Sequence, residues 1–228
     1  MKINADYAKP AMVASERLAW VPSPLPGVAR RMLERDGEEV SRVTTVVRFA
    51  PESHFFAHSH VGGEEYLVLD GTFSDQYGDF PAGAYVRNPV GSRHAPHTAE
   101  GATILVKLFW MHPQDQDYVR VDTTREEQWR TTDLAGVEIM ELHEFDDTSE
   151  ALYRLAPGAR LPARTLPGGE EFFVLEGKCD DENGSYGKGD WVRTPIGKAP
   201  MLRTGTGCRI FVKRGHLLNP PPGPGVAR

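Results

Sequence analysis

The chain repeats itself. Subtracting 106 carries Glu170 onto Glu64, Gly177 onto Gly71, Gly189 onto Gly83, Pro195 onto Pro89, Gly197 onto Gly91 and Lys213 onto Lys107, with no gap. Upstream the offset becomes 109, pairing Trp129 with Trp20 and Gly136-Val137 with Gly27-Val28. Such self-similarity means one structural unit present twice, so the 228 residues divide into two copies of about 100 residues each. Within each copy the segments between turns are short and rich in β-branched or aromatic residues: Arg42 to Ala50, Glu65 to Leu69 and Thr103 to Trp110, then Phe172 to Leu175 and Cys208 to Lys213. Gly-Gly, Asp-Gly, Tyr-Gly-Asp and Pro-x-Gly turns punctuate them, and Gly62-Gly63 and Gly168-Gly169 offer the positive φ of a tight return. The expected fold is all-β, two tandem jelly-roll β-barrels related by the internal repeat.

The expected divisions are an arm over 1–15, a first barrel over 16–112, a linker over 113–124, a second barrel over 125–215 and a tail over 216–228 too rich in proline and glycine to fold alone. With 39% apolar and 25% charged residues the composition is that of a globular protein with a buried core. A net charge of −6 provides no basic field for phosphate backbones or anionic lipid, so neither nucleic acid nor a membrane is an expected partner. The segment M-K-I-N-A-D-Y-A-K-P lacks the apolar stretch of a signal peptide, and a cytoplasmic location is expected. Cys179 and Cys208 fall on the positions of Phe73 and Ala102 and read as buried free thiols.

The chemistry lies in the first copy. H-S-H-V-G-G-E-E-Y-L-V-L-D-G (His58 to Gly71) and G-A-Y-V-R-N-P-V-G-S-R-H (Gly83 to His94) set out three imidazoles and a carboxylate. His58 and His60 are two residues apart, so on a strand both side chains leave the same face. The glycine pair then turns the chain to bring Glu64 alongside, and His94 returns on a later strand. Three imidazole nitrogens and one carboxylate oxygen suit a divalent transition metal, and ligand type alone does not choose among zinc, iron, manganese, nickel and copper. Five of the eight histidines lie between residues 54 and 97, whereas the second copy has none between 160 and 203. There the ligand positions hold Arg164, Leu166, Glu170 and Pro200. Because Glu170 persists and an unpaired buried carboxylate is costly, Arg164 is expected to form an ion pair with it. Glu65 competes with Glu64, since one residue of register changes the face. His54, His97 and Tyr66 are candidates for groups around the metal; Phe56, Tyr85 and Lys107 could also line the site.

His58-x-His60-x3-Glu64-x6-Gly71 and Gly83-x5-Pro89-x-Gly91-x2-His94 match both motifs of the cupin (RmlC-like) superfamily, up to the final asparagine of the second, where this chain has Thr98. The chain thus resembles a bicupin with a degenerate second copy. More narrowly, H-x-H-x-G-G-E-E-x-x-V-L-x-G-x-F and R-N-P-x-G-S-x-H look like the ChrR cupin domain, found in an anti-sigma factor. The resemblance implies one divalent metal per chain, zinc foremost with iron, manganese or nickel as alternatives, held by His58, His60, Glu64 and His94. It also implies a sensing or regulatory module responding to a small ligand or oxidative stress. A sigma-factor partner is implied by resemblance alone: those anti-sigma factors hold it with a separate zinc domain carrying His-x3-Cys-x2-Cys, and residues 1–40 here contain neither cysteine nor histidine. The alternative is an iron(II) dioxygenase of small dicarbonyl compounds, similar to acetylacetone-cleaving cupins. Either a monomer or a homodimer is compatible with two fused barrels.

Overall fold

The computed structural model describes residues 1–221. Twelve strands carry the architecture: β1 (Ala11–Ala14), β2 (Val28–Gly37), β3 (Ser41–Phe49), β4 (Glu64–Asp75), β5 (Ala84–Asn88), β6 (Ala102–Leu108), β7 (Val119–Asp122), β8 (Val137–Phe145), β9 (Thr148–Leu155), β10 (Glu170–Asp180), β11 (Asp190–Thr194) and β12 (Cys208–Arg214). In one unit the sheet runs β2-β3-β6-β4-β5-β7, and in the other β8-β9-β12-β10-β11-β1, every pair antiparallel. The fold is therefore all-β, two jelly-roll barrels with the same strand order. Among the described residues the only helical pieces are single 3-10 turns at Ser15–Arg17 and Glu126–Gln128, and no helix is long and apolar enough to cross a membrane.

The compact units are Met1–Ala5 with Leu18–Thr124, and Asp6–Arg17 with Arg125–Asn219. Two segments expected to lie outside the barrels are strands of them. The arm over 1–15 contains β1, which pairs with β11, and the linker over 113–124 contains β7, which pairs with β5. Each barrel closes its sheet edge with the four residues that precede the other repeat, and a four-residue strand is too short to show periodicity in a sequence. The tail expected from 216 begins later. His216 and Leu217 are buried and the Leu217 amide donates to the Gly168 carbonyl, while residues 222–228 lie outside the described residues.

The long strands β4 and β10 bend midway, each with a register shift, at Leu69 and Leu175. Gly71 and Gly177 follow these bulges at φ 71°, where a Cβ would collide with the carbonyl oxygens of Gly101 and Gly207. Beyond the bend β4 pairs with Gly78–Pro81 and His97–Thr98, which brings its far end to the opposite wall of its barrel. Thr98, at the motif's departure from asparagine, is fully buried and donates to the Thr72 carbonyl at 2.7 Å; Thr204 donates in the same way to Lys178 at 2.6 Å. The inner faces form separate cores, Val47, Tyr66, Val68, Phe73, Val86 and Ile104 in one and Tyr153, Leu155, Phe172, Val174, Val192 and Ile210 in the other. Cys179 and Cys208 are free thiols in the second core.

Candidate metal centre

The first ligand strand, His58–Ser59, pairs antiparallel with Arg93–His94 so that His58 lies directly opposite His94. His60 follows two residues on. The Gly63 turn, at φ 72°, then starts β4 with Glu64 on its inner face. The adjacent Gly62 serves a different purpose: it has no positive φ, but a Cβ there would strike the Phe109 ring. One ring nitrogen from each of His58, His60 and His94 lies within 4.8 Å of the others. The Nε2 atoms of His60 and His94 are 2.9 Å apart, and Glu64 Oε2 lies 3.4 and 3.5 Å from them. Two donors about 2.1 Å from one ion and a right angle apart would be separated by about 3 Å, so this spacing fits a shared ion.

The outer nitrogens of His58 and His94 are tied off, as those of ligating histidines usually are. His94 Nδ1 donates to Asp75 Oδ2 at 3.0 Å, and His58 Nδ1 donates to the Phe56 carbonyl at 2.9 Å. Each bond fixes the tautomer that leaves Nε2 with its lone pair facing inward. Asp75 is itself held by the Tyr77 amide at 2.7 Å. Glu64 Oε2 accepts from Asn88 Nδ2 at 3.0 Å, and Arg120 on β7 donates to Asn88 Oδ1 at 2.6 Å. Burial of His60, with His94 and His58 beside it, lowers its pKa despite Glu64, which keeps the ring neutral and able to bind. Burial pulls His94 down too, but the Asp75 hydrogen bond and the Glu64 charge outweigh it and leave the pKa raised. Burial opposes ionisation of Asp75, yet its bonds to His94 and Tyr77 hold its pKa below the ordinary value.

The register separates the two glutamates. Glu65 faces the other side of β4, where Arg87 Nη1 at 3.1 Å and the Tyr85 hydroxyl at 3.2 Å donate to it. Tyr85 is thus remote from the imidazoles. Lys107 also points away, toward Thr44 at 2.5 Å and Glu34 at 3.6 Å, and Phe56 is 97% exposed. None of these three lines the site. His54 and His97 sit opposite each other on their own strand pair with rings stacked at 5.7 Å, outside the converging group. Tyr66 lies on the inner face two residues from Glu64, buried, with no hydrogen-bond partner for its hydroxyl. Burial, reinforced by Glu64 and Asp75, raises its pKa, so it stays a protonated donor.

In the second barrel a salt-bridge cluster stands where the imidazoles converge in the first. Arg164 takes Glu170 with two nitrogens, its Nε at 3.2 Å from Oε2 and its Nη2 on Oε1. Arg214 adds its Nε to Glu170 Oε2 at 2.5 Å and its Nη1 to the Tyr153 hydroxyl at 2.7 Å. Burial would raise the Glu170 pKa, but the two guanidinium charges prevail and lower it. Leu166 is buried, and the pairing has slipped by one residue: Arg164 faces Ala199 rather than Pro200, which lies past the end of its paired segment. Proline has no N–H to contribute to such a ladder. A cavity of about 190 Å³ opens beside Arg214 and Tyr153, bordered by Ile139, Glu141 and Glu144.

Asp75, Asn88 and Arg120 were not singled out from the sequence. Asn88 had a legible signal, since its counterpart in the metal-less copy is Thr194. Asp75 had none, because Asp181 persists at the equivalent place and accepts turn amides from Asn183 and Gly184.

The model of the ChrR cupin-like domain matches the chain twice, over residues 8–112 and 116–218. Among solved structures, a protein of Nostoc punctiforme to which a dioxygenase activity is attributed superposes with a TM-score of 0.74 at 16% identity, covering 97% of this chain and 88% of its own. The protein Ylba from E. coli superposes with a TM-score of 0.68 at 16% identity, covering 92% and 91%. At these identities the likeness is one of fold. No curated protein sequence matches the chain.

Proposed function

We propose, from the premise that this chain belongs to the family of ChrR cupin-like domains, that it is a metal-dependent small-molecule-binding protein whose one divalent ion sits in the first barrel. The observation that carries this reading is the convergence of the His58, His60 and His94 ring nitrogens beside Glu64, with the outer nitrogens of His58 and His94 already bonded. His58, His60 and His94 would hold the ion and Glu64 would supply the fourth donor. Asn88 positions Glu64, and Asp75 positions His94. The ion would supply Lewis acidity for a bound oxygen donor and, if redox-active, a route for dioxygen. The Tyr66 hydroxyl, protonated and unpartnered on the same inner face, would donate a hydrogen bond to that ligand.

Two uses of such a site are separable. With iron or manganese as the native metal, oxygenation of a small bound molecule follows; with zinc, ligand-dependent regulation follows. Elemental analysis of untagged, natively loaded protein, paired with oxygen-uptake measurements on small dicarbonyls and carboxylic acids, tests both. One ion per chain that His58→Ala removes would support the reading, and a metal content unchanged in His58→Ala would reject it.

A further inference from the structure

The metal barrel keeps buried polar groups that its twin has dropped. Thr45 on β3 shares the inner face with Val47, is 2% exposed, and has a buried hydroxyl with no hydrogen-bond partner. Arg30 on β2 lies opposite Val47 and therefore also faces inward; its Nη1 reaches Glu39 at 3.2 Å, while its Nε is buried and unpartnered. A buried donor without an acceptor costs about 1–3 kcal/mol, so each is retained at a loss in the isolated chain. Repeat two shows that apolar residues fit both places. Under the offsets that align the copies, Thr45 becomes Ala151 and Arg30 becomes Ile139. The same barrel has lost its imidazoles.

The register places Thr45 nearer the candidate metal ligands than Arg30, whose row runs through Val47 and Ile104 to Val68. Thr45 pairs with Val106 and Val106 with Tyr66, so one row crosses the inner face from β3 to β4, and Glu64 lies two residues from that row's end. Two strand spacings make this row about 10 Å long at the backbone, and side chains converging inward shorten it. Arg35, on the same strand as Arg30, donates to the main-chain oxygens of Glu38 and Glu39 in the β2–β3 turn, the latter at 3.3 Å. Two guanidinium groups therefore approach one end of the barrel, whereas in repeat two Glu144 holds the position of Arg35.

We propose that Arg30 Nε and Thr45 Oγ1 form an anion subsite in the metal barrel, binding the carboxylate of a small organic acid whose other oxygen function reaches the metal. This rests on the metal reading above and narrows its ligand from any oxygen donor to a carboxylic acid with a second oxygen group. The guanidinium supplies charge and the hydroxyl a directed hydrogen bond, a pairing that favours carboxylate over an uncharged diketone.

The test is calorimetric titration of the zinc-loaded full chain with malonate, succinate and 2-oxoglutarate, against acetylacetone as the uncharged control. At least one acid should bind, and Arg30→Gln should weaken it about tenfold or more at unchanged zinc content, with acetylacetone unaffected. The near-isosteric Thr45→Val should weaken the same acid several-fold, which keeps the test decisive if Arg30→Gln unfolds. Zinc-loaded protein that binds none of the three acids, or binds them equally well in both folded variants, would overturn the subsite and leave the metal reading intact. Protein that takes up none of zinc, iron(II) and manganese(II) would overturn the metal reading itself.

Discussion

The two barrels share strand order, bulge positions, bend glycines and even the Thr98 and Thr204 hydroxyl bonds, yet the groups gathered around Glu64 and Glu170 differ. One gathers imidazoles around a carboxylate. The other has spent the same carboxylate on two arginines. The difference shows which part of the pattern belongs to the scaffold, since the turn glycines and core residues such as Val68/Val174 and Ile104/Ile210 persist while the imidazoles do not. It also shows that replacing the imidazoles is not passive. Glu170 remained buried, and Arg164 and Arg214, at the positions of His58 and Leu108, supply the positive charge its environment needs.

Breaking this compensation should have the largest effect on stability. Removing one side of a buried ion pair costs about 3–5 kcal/mol. Glu170→Ala, which strands two arginines, should therefore lower the denaturant midpoint strongly, whereas Glu64→Ala in metal-free protein should cost much less; equal losses would break the comparison. The same pair has a pH signature. The Glu170 pKa is lowered in the fold from its ordinary 4.5, so its contribution is fully present above that value and fades as pH falls through the lower folded value. Acid unfolding of wild type should consequently be steeper below pH ~4.5 than that of Glu170→Gln.

Smaller effects sharpen the comparison. Asp75→Asn should weaken metal affinity about 10–100-fold, the usual effect of removing the carboxylate behind a ligating histidine. Competition with a chromophoric chelator reads this directly, and an unchanged affinity would mean that Asp75 serves only its turn. Smallest are Thr98→Val and Thr204→Val, each expected to cost about 1 kcal/mol and by similar amounts, because the two hydroxyls make the same bond in both barrels.

Much of the fold and of the candidate site was legible in the sequence. Strand spacing of two puts His58 and His60 on one face, and the repeat itself marked Arg164 as a replacement for an imidazole and a partner for Glu170. Pairing gives what spacing left open: Glu64 faces Asn88 and the imidazoles, and Glu65 faces Arg87. The short strands Ala11–Ala14 and Val119–Asp122 were invisible because four residues are too few to show a period. Asp75 was hidden by its second occupation as a turn former, and the one-residue slip that leaves Pro200 unpaired has no signature apart from the proline itself.

The claim that one barrel alone holds a metal is tested most directly by counting ions per chain in wild type, His60→Ala and Arg164→Ala/Glu170→Ala. The prediction is one, none and one. Two ions in wild type, or a His60→Ala protein that keeps its ion, would contradict it.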